Sequence, residues 1–232
     1  MLKKILILKA VILFSLACRI CLAQDSPGRK QARETITYDI SPFGAAVYQD
    51  FGELEFRGKQ ANLVIFKTDA LGLKDTETIF SDPQNDLPLW IERDVSILLH
   101  DEYLTEEYFP GESRLLITKY EGGKKVAEFP FKAQGPIHNA ILLPFSLRKV
   151  SNLSVGWACQ IRLPDTIEVK LASIEDISVP AGKFNTYHFT STPHKFEIWI
   201  TTDKLRLPVK IEGTSGLPYT LSMAKHELLS HQ

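Results

Sequence analysis

Along almost the whole of this 232-residue chain, apolar and polar residues alternate, and few stretches could form helix. In "TITYDI" (35–40), Ile36, Tyr38 and Ile40 fall on one side. In "GELEFRG" (52–58), Leu54 and Phe56 stand against Glu53, Glu55 and Arg57. "TIEVKLA" (166–172) and "LPVKIEG" (207–213) repeat the pattern. A period of two belongs to a strand with one apolar face. About ten such segments can be counted, with very little helix to cover them. The sheet must therefore fold over itself or curl around a short helical plug.

The turns agree. Gly122-Gly123 between "RLLITKY" and "VAEFPF" marks a two-residue hairpin, which sets Glu121 opposite Lys124 and Leu116 near Phe129. Pro180 and Gly182 in "VPAG" suit a turn joining "SIEDIS" to "FNTYHF". Residues 87–109 have a helical spacing at Trp90, Val95 and Leu98, but the alternation of Ile91, Val95, Ile97 and Leu99 favours strand. The best helix candidate is 135–150, with Asn139 as cap, Leu142, Leu143 and Leu147 following, and Pro144 tolerated only in a first turn or at a break. In "FEIWI" (196–200), Phe196, Ile198 and Ile200 share a face, and Trp199 shares the other with Glu197. Three readings of Trp199 stand open: packing under the stem of Lys210 or Arg206, burial beneath the 136–150 segment, or contact with a ligand.

The first 23 residues have Lys3 and Lys4, an apolar run from Ile5 to Ala17, and the small-x-small end Cys21-Leu22-Ala23. This is the pattern of a cleaved secretory signal peptide, with a retained anchor as its rival. Export to the periplasm is the expectation. Residues 24–33 read as a polar, disordered linker, and 34–228 as a single β-rich domain. Without the leader, 23 basic residues face 28 acids, a net charge of −5 that argues against nucleic acid as a partner. Cys159 is then the lone cysteine and reads as a buried, inert thiol. The six histidines have neither the helical pairing nor the cysteine partners of a zinc site, and no nucleophile elbow or phosphate loop is present. No catalytic residue, metal or cofactor is expected.

The C-terminal third carries a resemblance. "VPAGKFNTYHF" (179–189) followed by "IWITTDKLRLPVKIEG" (198–213) resembles the bacterial exported family called domain of unknown function 3108. "ITYDISPFGAAVYQDFGELEF" is similar to that family's opening hairpin, and Arg148 stands where its central helix ends. The helix start departs from the family's Asp-Pro, and Pro144 is extra. The resemblance implies a mainly β fold: one highly curved antiparallel sheet, a half-barrel similar to the LolA/LolB-type periplasmic lipoprotein carriers, with one or two short helices.

The expectation is a non-enzymatic envelope protein that binds a lipid or lipoprotein acyl chain on the concave face. The ligand-binding candidates are Tyr38, Phe56, Phe129, Phe131, Leu142, Phe145, Phe196, Ile198 and Trp199. Ile36, Leu54 and Ile200 extend the same wall, and all of these positions serve equally as core. The alternative is a structural or protein-interaction module of the envelope with a fully packed core.

Overall fold

The computed structural model describes residues 31–98, 100–214 and 218–229, so the leader and most of the 24–33 segment lie outside it. Among the described residues, fourteen strands make one antiparallel sheet. In chain order they are β1 (Glu34–Ser41), β2 (Ala45–Phe56), β3 (Lys59–Ala70), β4 (Leu73–Ser81), β5 (Pro88–Ile97), β6 (His100–Phe109), β7 (Arg114–Glu121) and β8 (Lys124–Lys132). After a connection carrying one short helix, α1 (Leu143–Leu147), come β9 (Ala158–Leu163), β10 (Asp165–Val179), β11 (Gly182–Thr192), β12 (Phe196–Thr201), β13 (Pro208–Gly213) and β14 (Tyr219–Leu228). The sheet order is β8-β7-β6-β5-β4-β3-β2-β1-β14-β13-β12-β11-β10-β9, not closed into a barrel.

The expected mainly β architecture with almost no helix is what the chain adopts. The ambiguous 87–109 segment forms β5 and β6. Glu121 pairs with Lys124 as the Gly122-Gly123 turn requires. Leu116, however, meets Pro130 rather than Phe129, because Val126 bulges out of β8 and shifts the register by one.

Residues 133–157 form a strap between the two edge strands. Asn139 closes the turn that leads into α1, Oδ1 accepting the N–H groups of Ile141 at 2.8 Å and Leu142 at 3.1 Å, while the N-cap position of α1 itself falls to Leu142. Pro144 lies in the first turn of α1, where its missing donor costs nothing. Leu142, Leu143 and Leu147 are buried. Phe145 stacks on Tyr48 of β2, ring centroids 3.6 Å apart, which identifies the strap-covered face of the sheet. Two core clusters meet under the strap. Leu142 belongs to the one that runs through β1–β7 and β12–β14, with Ile36, Tyr38, Ile79, Ile91, Trp199 and Met223. Leu143 and Leu147 belong to the other, with Ile161, Val169, Phe189 and Ile198.

Candidate functional site

Register assigns faces, because paired residues point the same way. From Tyr48, the pairings place Tyr38, Phe129, Phe131, Phe196 and Ile198 on the strap-covered face, and Leu142 and Phe145 reach it from the strap. Tyr38, Phe131, Leu142 and Phe145 gather in one cluster, while Phe196 and Ile198 fall in the other. Phe129, on edge strand β8, stays exposed. Phe56 lies on the opposite face. Phe51 is an extra residue in β2, and the bulge turns Gly52, Leu54 and Phe56 over relative to Tyr48. Phe56 there stacks on Phe80, centroids 3.9 Å apart, and Arg57 lies 3.9 Å over the ring of Trp90.

The covered face is not uniformly apolar. Arg93 Nε donates to both carboxylate oxygens of Asp75, at 2.9 and 3.0 Å, and lies 3.4 Å from Glu77. Tyr108 donates to Glu106 at 2.6 Å. By register these residues share the face of Ile79 and Ile91. Apolar lining is therefore concentrated where the strap crosses.

The strap is held by polar contacts. Arg148 grips Glu34 with both guanidinium ends, at 2.7 and 3.1 Å, and donates to the Leu205 carbonyl at 2.9 Å. His226 Nε2 lies 3.0 Å from the same Glu34, which is 7% exposed. Burial pulls the Arg148 guanidinium down, but the bonds to Glu34 outweigh it and the net shift is upward. At the other end, His138 N donates to the Arg162 carbonyl at 2.8 Å, and Arg162 N donates to His138 Nδ1 at 3.3 Å. Burial lowers the His138 imidazole, which keeps that nitrogen an acceptor. Arg206 donates to the Val150 carbonyl.

Trp199 is 5% exposed, although it lies on the face opposite Ile198 and Ile200. Its cover is the outer half of the β10–β11 hairpin. Ala172 bulges from β10, so that Ser173, Glu175, Ile177 and Val179 follow His188 on the Trp199 side. The tip bends far enough for Ala181 N to donate to the Met223 carbonyl of β14, 2.9 Å away. Beneath it, Trp199 Nε1 donates to Glu175 at 2.7 Å, and His188 stacks on the indole at 4.3 Å. Lys210 Nζ stands 4.4 Å over the ring, as one of the three readings requires. Burial on both sides also holds, but the cover is a hairpin and not the 136–150 segment.

His188 Nε2 lies 2.6 Å from Glu197, whose other oxygen is 2.8 Å from His194. Ser173 Oγ is 3.3 Å from His188 Nδ1, which gives a Ser–His–Glu sequence of contacts. The same hydroxyl lies 3.2 Å from Glu175. A carboxylate thus occupies the surroundings where an acyl-transfer site needs donors for a developing oxyanion. The arrangement reads as a polar network that satisfies a buried Trp. Neither His188 nor Glu197 stood out in the sequence, because their contact depends on strand register.

Among the described residues, no group of three His, Cys, Asp or Glu could hold a metal ion. Burial pushes the Cys159 thiol up, away from the reactive thiolate. Two open concavities, of about 360 and 320 Å³, lie on the surface of the described residues. One lies beside Asp176, Phe184 and Asn185, the other beside Pro42, Glu212 and Tyr219, and none of the nine candidates lines either.

Comparison with protein-family models and with curated proteins finds no match. Among solved structures, the chain is similar to a β-barrel-like protein of domain of unknown function 1849 from Brucella abortus. The TM-score is 0.52 at 9% identity, over 87% of this chain and 99% of that one. At that identity the likeness is one of fold.

Proposed function

We propose that the protein is a non-enzymatic envelope protein, exported through its N-terminal leader and related to the domain of unknown function 3108 family. In this reading it takes an apolar chain, a lipid or lipoprotein acyl group, onto the strap-covered face. The supporting observation is how the apolar lining is covered. The sheet's own strands leave Tyr48, Tyr38 and Ile198 to a strap with one short helix, anchored by side-chain bonds at its ends. A ligand would take the place of Leu142, Phe145 and Leu147, each methylene contributing about 0.8 kcal/mol on burial. The closed strap reduces apparent affinity by the fraction of molecules in which it is open.

The second reading, a packed interaction module of the envelope, is favoured by one observation: neither concavity reaches the candidate wall. Mass spectrometry of lipid co-purified from the native compartment, with titration of a fluorescent fatty acid, separates the two. The carrier reading expects bound lipid, and tighter fatty-acid binding by Arg148→Met than by the unaltered protein. If neither protein retains lipid or binds the probe, the carrier reading is wrong and the packed module stands.

A further inference from the structure

In a meander, alternate turns leave from the same end of the sheet. The turns after β1, β3 and β5 therefore sit side by side. A Cβ on Gly44 would lie 2.5 Å from Ala70 Cβ, so the first two turns abut. Leu98 N donates to the Gly72 carbonyl at 3.1 Å, so the third leans on the second. Each tip exposes a bulky apolar side chain: Phe43, 71% exposed, Leu71, 73%, and Leu98, 80%. Ile97 and Tyr219 add exposed apolar surface at the same end.

The backbone sharpens the point. Leu71 has φ 52° and Leu98 φ 57°, left-handed conformations that favour Gly, Asn or Asp. The turns at Arg57-Gly58 and Gly122-Gly123 have the same positive φ values with a polar side chain or none. At Leu71 and Leu98 the chain instead keeps a residue unfavourable both for the backbone and for water, and almost all of the side chain is left outside the fold.

We propose that this end of the sheet docks on a lipid bilayer, with Phe43, Leu71 and Leu98 inserted among the lipids. Phe43, Leu71 and Leu98 each stand in a tight turn at the rim of the sheet, so the exposed apolar surface is a row of projections and not the flat patch that a protein interface packs around, whereas a fluid acyl layer closes around each projection. The flanking charges form no basic patch: Lys67 and Lys74 stand against Asp39, Asp69 and Asp101, with Lys74 and Asp69 themselves 3.9 Å apart. Attraction to anionic lipid is therefore not the driving force, and binding to neutral phosphatidylcholine should change little with salt.

The test uses tryptophan reporters in the full chain with brominated phosphatidylcholine vesicles. Leu98→Trp should be quenched, while Leu205→Trp, at the opposite end, should not. Vesicle partition should fall about tenfold or more for each of Leu71→Asn and Leu98→Asn. Neither Asn variant should melt lower than the unaltered protein, because Asn suits the left-handed backbone. Equal quenching at both ends, no quenching at 98, unchanged partition of the double Asn variant, or lower melting of the Asn variants would each overturn the proposal.

Discussion

Replacing Arg148 by Met removes the strap's strongest anchor while keeping the apolar stem. The loss leaves Glu34 buried at 7% exposure with His226 as its remaining partner, 3.0 Å away. Removing one side of a buried pair costs about 3–5 kcal/mol, because the other charge stays uncompensated. The His226 contact places this case near the lower end, about 3 kcal/mol. For a domain of this size that is a fall of about 6–12 °C in Tm. Converting Glu34 to Met as well removes the stranded charge, so the double variant should lose only about 1 kcal/mol. Urea unfolding of the four members of the cycle gives the coupling, expected to be about 2 kcal/mol or more. Hydrogen exchange in residues 141–150 should accelerate in the Arg148→Met protein well before global unfolding. A single-variant cost below about 1 kcal/mol, or additive costs, would show that the strap is held by apolar packing and not by this pair.

Three further outcomes follow from other contacts. Trp199→Phe keeps a ring beside His188 but loses the donor to Glu175, and should cost about 1–2 kcal/mol by urea unfolding. Phe145→Ala removes the stack on Tyr48 from a half-buried position and should cost about 2–3 kcal/mol, read as the shift in urea midpoint at constant slope. Acid should weaken the fold through Glu175 and Glu197. The Trp199 bond holds Glu175 below the usual carboxylate value; at Glu197 burial pushes upward, but the bonds to His188 and His194 win. Both folded values being depressed, their stabilisation is complete above the unfolded carboxylate value, about 4.3, and is lost as pH falls through the lower folded value. Glu197→Gln should flatten that part of a stability-versus-pH curve measured by urea midpoints.

The strands were legible because a side chain's face follows from counting by twos, and the Gly122-Gly123 hairpin because only Gly takes its backbone freely. Counting by twos fails at a bulge, however, and three bulges decide most of what the sequence concealed. Phe51 sends Phe56 to the face opposite Tyr48, although both stand at even positions of one strand. Val126 moves Phe129 from Leu116 to Ile117. Ala172 turns Glu175 toward Trp199 and so buries an indole that alternation alone assigns to water. The Glu34–Arg148 pair was hidden for another reason: its partners are separated by 114 residues, and no local pattern encodes that meeting. Leu142 and Phe145 could be named as plug residues from their segment alone, but what they cover could not.

The placement of the strap follows from the order of the strands. Every neighbouring pair in the sheet is consecutive in sequence except β1 with β14, and β8 with β9 is the consecutive pair that is not hydrogen-bonded. The sheet is thus a ring of hairpins opened at one place, and the chain must cross that opening on its way from β8 to β9. Two free edges would present unpaired amides and carbonyls to any passing strand. Edge strand β8 carries Lys124, Lys125 and Lys132, with Pro130 lacking a donor altogether. On β9, the N–H and carbonyl of Arg162 are both taken by His138 of the strap. The same segment therefore protects an edge and supplies the apolar cover of the concave face. Lifting the strap would also free backbone groups on β9, so its opening carries an energetic cost at the seam as well as in the apolar contacts of Leu142 and Phe145.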